Sequence, residues 1–244
     1  MKNNDVALIT IIHDIKGLIY RPLSKVINLI KAYFPQAYVA VSNQTSEEII
    51  NILKQAEFKV FIIEKKGVAN ARRKIAEYMK NYSHEYYHYC DLDRLVTWFS
   101  EYPNEISLVK QQIIKYDYLI IGRTLSAFNS HPVQWKDTEH ITNRVFSYEF
   151  RKNVDVTAGS CGMSRKSLLE ITDKSKAKMT DAEWPLIIRN SHKDNDIGYI
   201  EVNGLKYLEY NKSQSKNELD EWTSRTRLTY LICQSINELK RAHK

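Results

Sequence analysis

The chain has 244 residues, 43% of them hydrophobic, and this length favours one large α/β domain over two small ones. No apolar run approaches the ~20 residues that cross a bilayer, and residues 2–5 lead directly into a strand-like run without a leader cleavage site, so neither a membrane-spanning protein nor a secreted one is expected. Cys90, Cys161 and Cys233 form neither a CxxC pair nor an even disulfide framework, which indicates reduced thiols and a cytoplasmic protein.

The formal net charge is +7. A basic surface could attract nucleic acid, anionic lipid or a phosphorylated substrate, or the lysines could serve only solubility. The sequence contains no zinc finger, RRM-type aromatic motif or arginine-rich tract. Nucleic acid is therefore not an expected partner.

The first 125 residues alternate strand and helix signals. Strands are predicted at 6–12, 38–41, 58–63, 86–90 and 118–121, because short β-branched and aromatic runs recur there. Helices are predicted to begin at Pro22, at Ser46 and just after Gly67, and another spans about 104–115. Strict alternation of this kind predicts right-handed βαβ units and a parallel, Rossmann-like sheet.

The second half of the chain is less regular. Helices are predicted at 137–150 and 184–190, an extended segment at 154–157, and strands at 197–202 and 205–210. Residues 153–165 contain Gly159 and Gly162, and residues 211–217 form a polar linker. The final helix, at 218–240, is amphipathic, with one apolar side made by Leu228, Leu231, Ile232, Ile236 and Leu239.

The triplet Asp91-Leu92-Asp93 closes the fourth predicted strand. If the strand continues through it, period-two alternation turns both carboxylates to one side and Leu92 to the core. Two carboxylates about 4 Å apart repel by roughly 4 kcal/mol at an effective dielectric of 20, so a site that keeps both ionised favours a bound cation. Carboxylates, water and phosphate are the ligands that Mg²⁺ prefers. Alternatively, Asp93 pairs with Arg94 or caps the following turn.

The segment Gly67-Val68-Ala69-Asn70-Ala71-Arg72-Arg73 opens the third predicted helix. A glycine at a helix start allows close backbone approach, and the free N–H groups there favour an anion. Arg72 or Arg73, one turn in, could bind a diphosphate. The alternative is a helix start with a solvated basic face.

A third motif is Thr180-Asp181-Ala182-Glu183-Trp184-Pro185. Because proline has no N–H, a regular helix is expected to begin close to Pro185, which leaves Asp181 in a first turn or loop facing a cleft. Asp181 could then deprotonate an acceptor hydroxyl. Thr180 and Glu183 also have the spacing of a capping box, so a purely structural role remains open for both acids and is favoured for Glu183.

The order of these motifs across roughly residues 6–190 resembles the inverting GT-A glycosyltransferases of the large family-2 type. The resemblance implies a single GT-A-like domain over 1–244, with a nucleotide-binding half at 1–125, an acceptor half at 126–210 and a C-terminal helix at 218–242. It implies a nucleotide-sugar donor whose diphosphate is bridged to Asp91 and Asp93 by Mn²⁺ or Mg²⁺. Arg72 would lie near the donor, Gly159 beside the acceptor, and Asp181 would be the general base.

Two departures from that family bear on ligand contacts. After strand two, where the family usually has an acidic pair, this chain has Ser42-Asn43-Gln44, so Asp14 is the substitute candidate for contacting the donor. Arg94 follows the triplet where the family often has another acid. The acceptor is not identified by the sequence and could be a saccharide, a lipid-linked molecule or a small molecule.

Several further residues are candidates beside structural alternatives. Arg123 is expected to contact bound ligand, and His131 with it could line the acceptor cleft. His192 could be an additional metal ligand, whereas His88 is interpreted as a core or surface histidine. The tryptophans nearest the predicted cleft could stack on sugars but are more often core residues, and they are Trp98, Trp135 and Trp184.

The enzyme hypothesis has rivals. A nucleotidyltransferase also needs paired carboxylates and a metal, although residues 12–16 lack the glycine cluster that those enzymes usually carry. A non-catalytic nucleotide- or carbohydrate-binding protein of the same fold is the other alternative. The basic C-terminus, 240–244, could contact an anionic membrane or pack on its own domain.

Overall fold

The structure is a computed structural model that describes residues 6–192, 196–211 and 217–241. Its strands are β1 (Val6–Ile12), β2 (Ala37–Ser42), β3 (Lys59–Ile63), β4 (Tyr86–Cys90), β5 (Tyr118–Arg123), β6 (Ser160–Ser164) and β7 (Ile197–Val202). Its helices are α1 (Tyr20–Tyr33), α2 (Glu47–Gln55), α3 (Val68–Tyr78), α4 (Leu92–Glu101), α5 (Glu105–Ile113), α6 (Leu125–Asn129), α7 (Val133–Phe150), α8 (Arg165–Lys174), α9 (Thr180–Ser191) and α10 (Glu218–Arg241).

The seven strands form one sheet in the order β3-β2-β1-β4-β6-β5-β7. All neighbouring strands run parallel except β6, which is antiparallel to both β4 and β5. The predicted α/β class with a mostly parallel sheet is therefore confirmed.

Helices cover both faces of this sheet, and the alternation along β1 shows how the two faces are separated. Ile9 packs with Ile75 of α3 on one face, in a core that α9 and α10 complete. Leu8, the preceding residue, packs with Leu23 of α1 and Trp98 of α4 on the other face. Because successive side chains of a strand point to opposite faces, a continuous apolar run supplies both cores.

The strand β6 is absent from the predicted elements. Its sequence, Ser-Cys-Gly-Met-Ser, has none of the β-branched or aromatic residues that mark the other strands. A Cβ at Gly162 would lie 2.4 Å from Cγ1 of Ile113, so glycine lets α5 pack directly on the strand.

Three predicted boundaries are wrong. Residues 205–210 are not a strand: the chain turns there and forms a short 3-10 helix, Glu209–Asn211, whose side-chain oxygen at Asn211 accepts from the Leu208 N–H. Helix α4 begins immediately after Asp91, where the prediction continued the strand. Helix α9 begins at Thr180, four residues before the predicted start at 184, and it contains Pro185.

The C-terminal helix is amphipathic, as predicted. Ile232 and Ile236 are buried, and α10 packs against α7 and α9. The predicted linker falls largely on 212–216, and the basic end on 242–244, both outside the described residues. Within the part of the chain that is described, no helix combines the length and apolar character needed to cross a membrane.

Candidate functional site

Two adjoining cavities open at the carboxyl ends of β1 and β4, where ligands bind in open α/β sheets. The strand-end cavity, about 340 Å³, is lined by residues 11–14 at the end of β1, by Ser42 of β2 and by residues 63–68 from the end of β3 to the start of α3. The helix-side cavity, about 220 Å³, is lined by α7, α9, α10 and residues 157–159. Asp91 and Asp93 border both cavities.

The two aspartates reach the cavities from the start of a helix. Asp91 is the N-cap residue of α4, and Asp93 lies in its first turn. The predicted strand alternation through this triplet is therefore wrong, although Leu92 is buried as expected. The positive end of the α4 dipole favours negative charge at these positions. Both carboxylates still border the same space.

Asp91 is held from several sides. Its Oδ2 accepts from Arg72 Nη2 at 2.8 Å, its Oδ1 accepts from the Tyr89 hydroxyl, and its backbone N–H donates to the Gly159 carbonyl at 3.1 Å. Gly159 has φ +74°, and a Cβ there would lie 2.7 Å from Asp91 Oδ2. Only glycine permits this close approach.

Asp93 is less well compensated. Its Oδ2 accepts from Asn211 Nδ2 at 3.0 Å. Burial raises the pKa of Asp93, the charge of Asp91 adds to the rise, and the nearby Arg94 opposes it. A partly buried carboxylate whose charge is poorly stabilised favours a cation beside it. Because each carboxylate oxygen has more than one lone pair, Asp91 and Asp93 fit a divalent metal ion with oxygen ligands.

Arg72 links the aspartates of two elements. This buried side chain forms ion pairs at 2.8 Å with Asp181 through Nη1 and with Asp91 through Nη2. It also donates to the hydroxyls of Tyr89 and Thr180. Burial alone would lower the pKa of Arg72, but Asp181 and Asp91 outweigh burial and raise it well above its ordinary value. Of the two arginines considered from the sequence, Arg72 is the one at the site.

Gly67 is the N-cap residue of α3 and borders the strand-end cavity. Its φ of +91° favours glycine, and a Cβ built there would meet no atom within 4 Å. The start of α3 therefore presents its backbone to open space in the cavity, as an anion site at a helix N-terminus requires.

Helix α9 places Asp181 and Glu183 differently. Asp181 borders the helix-side cavity and its side chain is 10% exposed. Glu183 is buried and accepts from the N–H groups of Lys176 and Ala177 and from Arg73. Glu183 thus closes the turn before α9, which agrees with the structural role favoured for it.

Pro185 lies inside α9, where it removes one backbone hydrogen bond of the helix. Its missing N–H leaves the Asp181 carbonyl without its usual partner four residues on. The first turn of α9, which carries Asp181, therefore has one hydrogen bond fewer to the rest of the helix.

Asp14 borders the strand-end cavity, but its oxygens serve the loop after β1. Oδ1 accepts from the Lys16 N–H at 3.2 Å and Oδ2 from the Ile19 N–H at 2.9 Å. These bonds shape the loop that forms one wall of the cavity.

In the part of the chain that the structure describes, Arg123 is not among the residues that line the two cavities. Its side chain is 1% exposed and is held by Asp155 and Glu139, both at 2.7 Å. Arg123 therefore lies outside the lining of both cavities, enclosed by its two carboxylate partners, and its expected contact with ligand stays a prediction. Its neutral neighbour His131 is also buried, beside Arg94.

His192 is far from the aspartate pair in the fold. It hydrogen-bonds Asp117 and Glu170, both at 2.7 Å, and Asp117 precedes β5 at the amino end of that strand. Asp117, His192 and Asp196 lie close enough to share an ion, but not at the two cavities. His88 is a core histidine, fully buried against β6.

The tryptophans considered as sugar-stacking platforms are buried. Trp98 is fully inside, Trp184 is 2% exposed and Trp135 is 6% exposed. Trp98 and Trp184 pack in the two cores, as the structural alternative expected. Trp135 instead borders the helix-side cavity, with the guanidinium groups of Arg94 and Arg225 over its ring.

Two residues of the site were missed from the sequence. Tyr89 lies on β4 two positions before Asp91, and its hydroxyl donates to that carboxylate; a tyrosine so close to the motif is a usable signal. Asn211 reaches Asp93 from 118 positions away, and nothing local marks it.

No model of a known protein family matches the chain, and no curated protein sequence matches it. The fold is similar to that of glucosyl-3-phosphoglycerate synthase from Mycobacterium tuberculosis. The complex of that protein with UDP has a TM-score of 0.65 at 11% identity, over 96% of this chain and 81% of that chain. Its complex with Mn²⁺, UDP-glucose and phosphoglyceric acid has a TM-score of 0.65 at 10% identity, over 96% and 80%. The complex with Mn²⁺, UDP-glucose and glycerol 3-phosphate gives 0.63 at 10%, over 96% and 81%. This similarity establishes the GT-A type of fold.

Proposed function

We propose that the protein is a metal-dependent glycosyltransferase that uses a nucleotide-diphosphate sugar. The observation that carries the proposal is the pair Asp91 and Asp93, which borders both cavities at the carboxyl end of β4. The similar solved structures support it, because that synthase was crystallised with Mn²⁺ and UDP-glucose. In this proposal residues 1–125 bind the donor, residues 126–210 bind the acceptor, and 218–242 close the acceptor side.

The donor would occupy the strand-end cavity. Gly67 and the start of α3 would receive the diphosphate, and the loop shaped by Asp14 would lie beside the nucleoside. Mn²⁺ or Mg²⁺ would be held by Asp91 and Asp93, where it would stabilise the charge on the departing diphosphate. Arg72 would fix the position of Asp91 and supply a nearby positive charge.

The acceptor would enter the helix-side cavity, which Asp181 borders. In a single inverting displacement, the acceptor oxygen forms a bond to the anomeric carbon while the bond from that carbon to the diphosphate oxygen breaks. Asp181 takes the proton of the acceptor hydroxyl. Arg72 orients the Asp181 carboxylate through the 2.8 Å ion pair. Gly159 has no side chain, so its backbone can lie close to the Asp91 carboxylate.

A panel of sugar nucleotides tests this proposal by release of nucleoside diphosphate in the presence and absence of Mn²⁺. Wild-type protein should hydrolyse one donor slowly without an acceptor, and Asp93→Asn should lower that rate by at least about 100-fold. Asp173→Asn, on the exposed surface beside Lys80, is the matched control and should retain the rate. Full activity in Asp93→Asn, or no donor turnover at all, would contradict the proposal.

One observation favours a second candidate, a nucleotide-binding protein without transfer. Both oxygens of Asp91 already accept hydrogen bonds, from Arg72 and Tyr89. Such a protein would bind a nucleoside diphosphate equally well with and without Mn²⁺, whereas the transferase would bind it more tightly with the metal. A thermal-shift titration measures this difference, because a ligand that binds only the native state raises its apparent stability.

A further inference from the structure

Arg94 differs from the other arginines that surround the site. It lies in α4 directly after Asp93, is 8% exposed and borders the helix-side cavity. Arg72, Arg123 and Arg225 each have two carboxylates within 4.0 Å. Among residues 6–192, 196–211 and 217–241, no carboxylate oxygen lies that close to the Arg94 guanidinium. A guanidinium this deeply buried normally has an anionic partner.

The groups in direct contact with the Arg94 guanidinium are uncharged, although Asp93, its neighbour in sequence, lies near enough for the two charges to interact. Its Nη1 donates to Nε2 of His131 at 3.0 Å. Nδ1 of His131 lies 3.0 Å from the Ala127 carbonyl and must carry the proton to donate to it, which leaves Nε2 as an acceptor. Burial, Arg94 and Arg123 lower the pKa of His131 to about 2, so the ring stays neutral. The other neighbour is the Trp135 ring, with the guanidinium 5.1 Å from its centroid.

The guanidinium therefore has unused hydrogen-bonding capacity toward the cavity. It has five N–H donors, and the bond to His131 uses one of them. No Arg94 nitrogen is among the fully enclosed side-chain atoms without a partner in the described part of the chain. The remaining donors are therefore not fully enclosed, and Arg94 lines the helix-side cavity, where an oxyanion can accept two parallel hydrogen bonds.

The same wall carries a second cation. Arg225 of α10 stacks on the Trp135 ring, 3.1 Å from its centroid, and borders the same cavity. Its charge is already shared with Glu221 at 3.1 Å and Glu139 at 3.7 Å. Arg225 thus holds the wall in place, and Arg94 is the cation left to meet a ligand.

We propose that the helix-side cavity takes a small acceptor bearing a carboxylate or phosphate, and that Arg94 binds this anionic group. That the bound molecule is the acceptor rests on the proposed function. Asp181 borders the same cavity and would face the hydroxyl of that molecule. The cavity volume of about 220 Å³ is large enough for a small molecule of this kind. A second source of the same chemistry is the donor diphosphate, which would reach Arg94 across the aspartate pair.

Binding of inorganic sulfate tests the site without any transfer reaction. Sulfate is titrated at constant ionic strength into the protein alone and into the protein saturated with UDP and Mn²⁺, with calorimetry and thermal shift as readouts. We expect sulfate to bind in both states. The Arg94→Gln variant should raise the apparent Kd for sulfate by about tenfold or more. Arg144→Gln, which removes an exposed arginine of α7, is the matched control and should bind as the wild type does.

Each result then assigns the anion. If UDP abolishes sulfate binding, or if Arg94→Gln weakens UDP as much as sulfate, Arg94 contacts the donor and the inference is overturned. Equal sulfate binding by Arg94→Gln and wild type, or none by wild type, also overturns it. Arg94→Lys, which keeps the charge and loses the planar fork, should bind with intermediate affinity and serves if Arg94→Gln does not fold. Arg94-dependent sulfate binding in a protein that turns over no donor would support the anion site and contradict the proposed transferase activity.

Discussion

Replacing Arg72 with Met should show how much the Arg72 charge contributes to the stability of the fold. The variant keeps an unbranched, flexible side chain that is shorter than arginine, and it removes the charge that pairs with Asp91 and Asp181. Two carboxylates, 21% and 10% exposed, then remain beside each other without that cation. We expect the variant to fold with a lower free energy of unfolding.

The size of the loss follows from the two ion pairs. A pair of charges about 4 Å apart interacts by roughly 4 kcal/mol at an effective dielectric of 20. Removing one member of a buried pair costs about 3–5 kcal/mol, because the remaining charge is left uncompensated. Asp91 keeps some access to water at the cavity, which reduces its part of the penalty. We therefore expect a loss of about 3 kcal/mol at neutral pH.

The loss should depend on pH in a defined direction. Without Arg72, the folded variant holds two unpaired carboxylates beside each other, and a bound proton relieves their repulsion. The folded variant then binds a proton more readily than the unfolded variant, so its stability rises as pH falls. The gap between wild type and variant should consequently be largest at pH 8 and narrow toward pH 5.

Urea denaturation at pH 8, 7 and 5 measures this effect, with Arg144→Met as the control for loss of an exposed arginine. Mn²⁺ should stabilise Arg72→Met more than wild type, because a cation at Asp91 replaces part of the missing charge. A loss no larger than that of Arg144→Met would refute the reasoning about buried charge. A loss that is constant between pH 5 and 8 would show that the carboxylates are not the cause.

Three further changes test the surroundings of the aspartates. Gly159→Ala places a Cβ 2.7 Å from Asp91 Oδ2 at a φ of +74°, so it should lower the free energy of unfolding by about 1–3 kcal/mol and weaken Mn²⁺ binding; unaltered metal affinity would show that Asp91 can move away freely. Glu183→Ala should cost about 3 kcal/mol, because backbone donors and Arg73 lose their buried acceptor, while nucleotide affinity stays within twofold by calorimetry; a large fall in affinity would assign Glu183 to the ligand site. Tyr89→Phe removes a buried hydroxyl that donates to Asp91 and should cost about 1.5–3 kcal/mol in chemical denaturation; a neutral result would mean that the charge of Asp91 is satisfied without it.

The alternating half of the fold was predictable because its signals are local. Every strand from β1 to β5 was found within a few residues, since each is a compact apolar run followed by a helical pattern. Helix α4 is not among the predicted elements, because the acidic triplet favours a strand end, although a helical spacing follows it in Leu92, Leu95, Val96 and Phe99. The strand β6 could not be predicted, because only its pairing with β4 and β5 makes its small residues a strand.

The site was predictable in its residue types and less so in its geometry. Asp91, Asp93, Arg72, Gly67 and Asp181 border the two cavities, as their motifs indicated. That Arg72 joins two aspartates 90 residues apart in sequence is a tertiary contact that no local pattern encodes. The same holds for Arg123: its position at the end of β5 suggests a ligand contact, whereas Asp155 and Glu139 enclose its side chain.

The antiparallel strand β6 has a consequence for how the protein acquires its site. It pairs with β4 across 70 or more residues of chain, and Gly159, immediately before it, holds the Asp91 amide. A nascent chain that has completed β5 already contains the aspartate pair but lacks the segment that fixes it. Because Gly159 supplies the acceptor for that amide, this contact cannot form before residue 159 has been synthesised. Asn211, the partner of Asp93, is added later still, so the pair gains its full set of contacts only when the second half of the chain is made.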